Sequence, residues 1–181
     1  MPAFIALLRA VNVTGYGKLK MTDLRDMVAG MGLADPKTLL ASGNLVFRSR
    51  SSDTTALERK LAGEARRQLG LDTTFFVRTI PEWTAMISHN PFPAEAKRQP
   101  ASFQAFALSR APDAAAVRAL ETASKGPERL AVAGQHLYVF YPEGIGRSRL
   151  AHSLIEGKLD ARATGRNWNT VFKLLELGSR L

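Results

Sequence analysis

Lys37-Thr38-Leu39-Leu40-Ala41-Ser42-Gly43-Asn44-Leu45-Val46-Phe47-Arg48 is the stretch that decides the fold. The turn-forming residues Ser42-Gly43-Asn44 stand between two short runs with strand character, 37–41 and 45–48, and this arrangement predicts a β-hairpin. Earlier in the chain, an unbroken apolar run over residues 3–9 predicts a central strand that is buried on both faces. The hairpin is therefore expected to share a sheet with that earlier strand.

Two predicted helices complete this first unit. Thr22 and Asp53 are expected to cap them, because a short polar side chain accepts a hydrogen bond from a free N–H group of the first turn. Apolar residues at helical spacing follow each cap: Leu24, Met27, Val28 and Met31 in the first helix, and Leu57, Leu61, Ala65 and Leu69 in the second. With a further strand over 73–78, the order is strand, helix, strand, strand, helix, strand, which is the ferredoxin-like or split βαβ unit.

The second half of the chain repeats this order of elements without a visible repeat of residues. A strand over 102–109, a helix capped by Asp113, a hairpin over 129–141 and a helix capped by Ser148 are predicted. A C-terminal helix, with an apolar stripe of Trp168, Val171, Phe172 and Leu175, then stands where the first half has a strand. The fold class is α+β: two ferredoxin-like βαββα(β) subdomains in tandem, each an antiparallel sheet with helices on one face, plus that helix. The predicted divisions are 1–79, a connecting helix and charged linker over 80–100, and 101–181.

Composition narrows the classes of function. The chain of 181 residues is 45% apolar, which supports a buried core, and contains no cysteine, which excludes disulfides, thiol catalysis and thiolate metal sites. No apolar run approaches the ~20 residues of a membrane span, and the N-terminus reads as a strand and not as a signal peptide. We expect a cytoplasmic protein, with a monomer favoured and no membrane partner.

The net charge of +9 indicates a polyanion as a partner, although an organism that uses much arginine would give the same surplus. Basic residues recur in every segment, so no basic tail of the kind that binds nucleic acid is present.

The first candidate site joins two loops of the first unit. In a ferredoxin-like sheet the first two strands run in the same direction, so the loop after the first strand should lie beside the hairpin tip. The polar and glycine residues of these loops suit a phosphate or carboxylate: Arg9, Asn12, Gly15, Gly17, Lys18, Ser42 and Asn44. Ordinary turn chemistry is the competing explanation of the hairpin tip.

Two further candidates lie in the second half. Gly144-Ile145-Gly146-Arg147-Ser148-Arg149 places two glycines and two arginines at the start of a predicted helix, where Arg147, Ser148 and Arg149 would cradle an anion. Solvated arginines beside a glycine turn explain it equally well. The last candidate is Arg166, Asn167 and Asn169 at the start of the C-terminal helix, where a simple N-cap role of Asn167 is the alternative, and Trp168 is expected in the core.

Other chemistries find no support. The three histidines lack the spacing of metal ligands, and the sequence has neither an HExxH motif nor a GxSxG elbow nor a dinucleotide fingerprint. We therefore predict no metal site and no cofactor. Ser42 would be a nucleophile only beside a basic partner, and core packing explains the aromatic strands better than RNA binding does.

Five motifs carry a resemblance that spans nearly the whole chain: Leu7-Leu8-Arg9-Ala10-Val11-Asn12-Val13, Ser42-Gly43-Asn44-Leu45-Val46-Phe47, Asn90-Pro91-Phe92-Pro93, Gly144-Ile145-Gly146-Arg147-Ser148-Arg149-Leu150 and Thr164-Gly165-Arg166-Asn167-Trp168-Asn169-Thr170-Val171. In this order they resemble a bacterial domain-of-unknown-function family, the one numbered 1697. The resemblance implies a single chain of two ferredoxin-like subdomains and brings no settled activity. This sequence departs from the family at Ala10 and near Thr14, where the family has glycine, and at Arg149, where it has lysine; the arginine counts against a catalytic ammonium there.

The sequence thus favours a protein that binds an anionic, phosphate-bearing ligand, such as a nucleotide or nucleic acid. Arg9, Lys18, Arg147, Arg149 and Arg166 would supply charge, and the hydroxyl and amide side chains would orient the ligand. Two alternatives stay open: an enzyme acting on a small phosphorylated or carboxylated substrate between the subdomains, and motifs that only tie the subdomains together.

Overall fold

The structure is a computed structural model, and it describes residues 1–13 and 18–181. The chain divides into two compact units, one of Met1–Ile87 with Lys173–Leu181 and one of Ser88–Phe172. The boundaries expected from the sequence, after residues 79 and 100, stay a prediction. Within the described residues, no helix has both the length and the apolar character to cross a membrane.

The first unit is a four-stranded sheet with two helices packed on it. Its strands are β1 (Ala3–Leu8), β2 (Ala34–Thr38), β3 (Asn44–Arg48) and β4 (Phe75–Thr79), in the order β2-β3-β1-β4 and antiparallel throughout. The helices are α1 (Met21–Gly30) and α2 (Thr54–Leu69), followed by α3 (Ile80–Ser88). The buried stripes of α1 and α2 pack on Phe4, Ala6 and Leu8 of the central strand. The ferredoxin-like order predicted for this half is confirmed.

Two local predictions in the first unit are wrong. Thr22 does not cap α1, which begins at Met21; the cap position is Lys20, without a side-chain hydrogen bond. Packing of the apolar Met21 side chain against the core favours this earlier start. Strand β2 runs over Ala34–Thr38 and not over 37–41, with an irregularity after Ala34 where Asp35 has φ +52°. By contrast, Asp53 caps α2 as predicted, accepting from Ala56 N (2.9 Å).

The second unit repeats the architecture with its own strands and helices. They are α4 (Pro93–Arg98), β5 (Phe103–Leu108), α5 (Ala114–Ala123), β6 (Arg129–Ala133), β7 (His136–Phe140), α6 (His152–Leu159) and β8 (Ala163–Asn167). Helix α7 (Trp168–Ser179) follows β8, and its residues from Lys173 onward belong to the first unit. The sheet order is β6-β7-β5-β8, antiparallel throughout. Asp113 caps α5 through Ala116 N (2.8 Å), as predicted. Both halves of the chain are therefore complete four-stranded units.

Four predictions for this half of the chain are wrong. Residues 94–100, predicted as a linker, mostly form α4, which Pro93 opens. Ser148 does not cap α6: the helix starts four residues later, after an extended stretch that buries Leu150 in the core. Ala163–Asn167 is strand β8 and not the approach to a helix. In α7, Phe172 is 49% exposed and Leu174 is buried, so the predicted stripe is wrong at Phe172.

In both sheets, helix or strand side chains bind outward-facing backbone groups of the edge strand that comes last in the chain. On β4, the outward-facing N–H of Val77 donates to Glu58 Oε1 (2.8 Å), and its carbonyl accepts from Arg78 Nη1 (2.9 Å). On β8, Ala163 N donates to Glu156 Oε1 (2.8 Å), and Ala163 O accepts from His152 Nε2 (2.7 Å). In each case a helix glutamate and a basic side chain satisfy one outward backbone pair of an edge strand.

Candidate functional site

The first group of predicted residues meets as the topology requires. Leu8 N donates to Gly43 O (2.8 Å), and the Asn12 side chain donates from Nδ2 to Ala41 O (2.6 Å). The loop after β1 therefore lies against the hairpin tip, which confirms the predicted adjacency. Thr14, Gly15 and Gly17, which the sequence also singled out, lie outside the described residues.

The amides of this group hold backbone in place. Asn12 Nδ2 also donates to Leu19 O (2.8 Å) and its Oδ1 accepts from Leu19 N (2.8 Å), closing the loop on itself. The fully buried Asn44 donates from Nδ2 to Leu39 O (2.8 Å) and to Ser42 Oγ (2.9 Å). Each amide thus ties together backbone segments that lack regular secondary structure.

Backbone strain accompanies these bonds. Ala10, Asn12 and Leu40 all have positive φ, between +53° and +60°, and Gly43 has φ +78°. Such conformations persist only where surrounding contacts enforce them. The remaining members of the group are the exposed Ser42 and Lys18, and Arg9, whose carbonyl accepts from Thr73 Oγ1 (2.6 Å).

The C-terminal group lies at the junction of β8 and α7. Arg166 is buried and donates from Nη1 to Thr164 Oγ1 and Gly165 O, both at 2.8 Å, and burial lowers its pKa to about 10. Asn167 caps α7 by accepting from Thr170 N (3.0 Å) and Thr170 Oγ1 (3.1 Å). Asn169 is exposed. The cap that the sequence offered as the alternative role of Asn167 is present.

Trp168 lies in the core, as predicted. It is 6% exposed and packs edge-on against Phe103 at 5.1 Å between ring centroids. The N-cap at Asn167 makes Trp168 the first residue of α7, and the helix turns its side chain into the core.

The third group lines a pocket in the second unit. The pocket has a volume of about 180 Å³ and lies between two loops, residues 125–128 before β6 and residues 141–149 after β7. Arg147, Ser148 and Arg149 line it, as does Gly144, whose φ of +83° requires a residue without a side chain. The sequence motif predicts a site at the loop 141–149, whereas the opposite loop, 125–128, was not predicted. The signal was present in Lys125-Gly126-Pro127-Glu128, a turn that carries charge of both signs.

A buried tyrosine and a carboxylate form the polar side of the pocket. Ser148 Oγ donates to Glu128 Oε1 and accepts from Leu150 N (3.0 Å). Tyr141 is 3% exposed, and burial, followed by the nearby charge of Glu128, raises the pKa of its hydroxyl above the ordinary value near 10. Ser148 is therefore a bridge between the two loops.

Three cations line the pocket. Lys125, Arg147 and Arg149 are exposed, and no ion pair joins them to a carboxylate in the part of the chain that the structure describes. Two other arginines of this unit are paired: Arg110 with Asp160, and Arg129 with Glu95. Unpaired guanidinium groups offer several N–H donors in a planar fork, the geometry that phosphate and carboxylate oxygens accept.

A second cavity lies in the first unit. Its volume is about 520 Å³, and it is lined by Met1, Met31, Gly32, Leu33, Ser49, Arg50, Ser51, Ala56, Leu57 and Lys60. None of the residues that the sequence predicted for a site is among them. Of these two cavities, the pocket of the second unit is the one lined by residues that the sequence predicted for a site.

The two core tyrosines give a pH prediction. Burial raises the pKa of Tyr138 to about 12, and that of Tyr141 is also raised. Because the folded state keeps these protons where the unfolded state releases them, their stabilisation is complete below pH 10 and is lost as pH rises through the folded pKa. We expect Tyr141→Phe to flatten the fall of unfolding free energy above pH 10, measured by urea denaturation. The lowered pKa of Arg166 makes the free energy of unfolding rise with pH in the same range. Because Arg166 is present in both wild type and variant, this contribution cancels in the comparison. Equal slopes in wild type and variant would contradict the prediction.

Comparisons with known proteins show the family of this chain and the fold that it shares with a solved structure. The family described as "Protein of unknown function (DUF1697)" matches residues 1–138, most of the chain. The chain belongs to this family. The solved structure of the conserved bacterial protein SP0830 from Streptococcus pneumoniae is similar over 97% of this chain and 98% of that one, with a TM-score of 0.74 and 21% identity. At that identity the likeness shows the fold alone. No curated protein matches the chain.

Proposed function

We propose that the protein binds an anionic, phosphate-bearing ligand, a nucleotide or a nucleic acid, in the pocket of the second unit. The observation that carries the proposal is the set of three unpaired cations, Lys125, Arg147 and Arg149, around one cavity. Charge-assisted hydrogen bonds to phosphate are roughly twice as strong as neutral ones. The zero cysteine count suits the reducing cytoplasm, which we propose as its location.

The size of the pocket limits what it encloses. A volume of about 180 Å³ is below the ~300–1,000 Å³ of cavities that surround a drug-sized ligand. The cavity therefore suits a phosphate group and the sugar next to it, while a base or a longer strand would lie outside. This size accommodates both a free nucleotide and the end of a nucleic acid.

Binding measurements on a double variant test the proposal. We expect Arg147→Ala with Arg149→Ala to weaken binding of AMP and of a 5′-phosphorylated single-stranded RNA by roughly 100-fold or more, because each lost charged hydrogen bond contributes about 1.5–3 kcal/mol. Isothermal titration calorimetry for AMP, and fluorescence anisotropy for RNA across a salt series, measure this. If RNA is the partner, wild-type affinity falls steeply with salt and the variant shows a smaller slope.

The matched control is Arg59→Ala with Arg66→Ala, which removes two exposed arginines from α2 of the first unit. It lowers the net charge by the same amount and leaves the pocket intact. Equal losses in the two double variants would reduce the effect to overall charge and would refute the assignment of the site. Undiminished binding in the pocket variant would do the same.

A further inference from the structure

Resting on the proposed function, we propose that the pocket selects a ribose phosphate and that the Glu128 carboxylate accepts hydrogen bonds from the ribose hydroxyls. The observation behind this is that the pocket is not uniformly basic. Glu128 lies on the same loop as Lys125, opposite the loop that carries Arg147 and Arg149, and it lines the same cavity. A bare phosphate would be repelled by that carboxylate, so charge alone does not explain its presence.

The Glu128 carboxylate is held in place from two sides. Its Oε1 accepts from Ser148 Oγ across the pocket. Its Oε2 lies so close to Gly126 that a Cβ atom at that position would overlap it. Together with the buried Tyr141, whose pKa responds to the charge of Glu128, these contacts place a negative charge on the wall of the cavity.

Most hydrogen-bond acceptor positions of this carboxylate have no donor in the described part of the chain. Among the residues that the structure describes, Oε1 has the Ser148 hydroxyl as a donor and Oε2 has none. An ionised carboxylate has about four acceptor positions, so Glu128 has capacity for further donors. A ligand that fits must place a hydrogen-bond donor at Glu128 and an anion near the cations that line the pocket.

Ribose phosphate meets both requirements in one small group. Its 5′-phosphate carries the charge for Arg147 and Arg149, and its vicinal hydroxyls can donate to a single carboxylate, a recognition that acidic residues provide for ribose in nucleotide sites. The cavity of about 180 Å³ suits a group of this size. An amino-phosphate would also offer a donor and an anion, and the experiment separates the two.

Calorimetry with four probes tests the inference: AMP, 2′,3′-dideoxy-AMP, phosphoethanolamine and inorganic phosphate. We expect AMP to bind at least 10-fold more tightly than 2′,3′-dideoxy-AMP, which lacks both hydroxyls. In Glu128→Gln the ratio should fall below about 3-fold, since an amide oxygen is a weaker acceptor than a carboxylate. Glu143→Gln, which removes an exposed carboxylate from the same pocket, should keep the wild-type ratio.

The outcomes separate the two proposals. Equal affinities for AMP and its dideoxy analogue, with Arg147 and Arg149 still required, overturn the ribose inference and leave phosphate binding intact. A wild-type ratio retained in Glu128→Gln, with an unchanged melting temperature, overturns the role of Glu128. Phosphoethanolamine binding more tightly than AMP overturns ribose in favour of an amine. No binding of any probe overturns both proposals.

Discussion

Replacing Gly43 by alanine is expected to lower the free energy of unfolding by about 2–5 kcal/mol, the sum of a left-handed backbone penalty of ~1–2 kcal/mol and overpacking of ~1–3 kcal/mol. The backbone of Gly43 has φ +78°. A Cβ atom there would lie 2.5 Å from Val11 Cγ2 and 2.8 Å from Leu8 Cβ. Both neighbours are buried, and Leu8 is bonded to Gly43 through its own N–H, so neither has room to withdraw.

Gly32→Ala is the matched control. Gly32 has nearly the same φ, +76°, but nothing lies within 4 Å of the position a Cβ would take. Only the backbone penalty of about 1–2 kcal/mol should then appear. Urea denaturation of the two variants at 25 °C measures the difference. Equal losses would mean that Val11 and Leu8 make room for the added methyl group at no cost in the free energy of unfolding.

Asn44→Asp is expected to be the second large loss, about 3–5 kcal/mol at pH 7, because it buries a charge in place of a hydrogen-bonded neutral amide. The change is nearly isosteric. It removes the donor to Leu39 O and puts a carboxylate oxygen beside that carbonyl at a position with no exposure to solvent. The hairpin tip would lose one of the hydrogen bonds that close its turn.

The pH dependence of this variant follows from the same argument. Burial raises the pKa of the introduced carboxyl, so its penalty is full above that raised pKa, shrinks as pH falls towards the ordinary value near 4, and is absent below it. Asn12→Asp is the control: Asn12 is exposed, so its variant should lose less and vary less with pH. Denaturation curves at pH 7 and pH 4 provide the comparison. A loss in Asn44→Asp that does not depend on pH would show that the carboxyl reaches solvent.

The first unit could be predicted because its signals are local. Leu24, Met27 and Val28 of α1, and Leu57, Leu61 and Ala65 of α2, fall at helical spacing and are all buried. Strand β8 gave no such signal. Ala163-Thr164-Gly165-Arg166-Asn167 has no large apolar residue and forms a strand because β5 pairs with it along its whole length. That tertiary contact is invisible to periodicity.

The candidate sites show the same limit. The topology alone placed the loop after β1 beside the hairpin tip, since that follows from strand direction. It did not reveal that Asn12 and Asn44 bond to backbone atoms, which depends on the turn conformations around them. Arg147, Ser148 and Arg149 were found by composition. Lys125 and Glu128, which face them, are distant in sequence and meet them only through the pairing of β6 with β7.

The covered edges of β4 and β8 bear on how this protein behaves when concentrated. An outer strand with open N–H and C=O groups is a template for intermolecular sheet growth, the first step of fibrillar aggregation. Glu58 with Arg78, and Glu156 with His152, occupy one such pair of groups on each sheet. Polymerisation through these edges would first have to dislodge a charged side chain from each sheet. Acidic conditions that neutralise the glutamates are where this resistance should weaken.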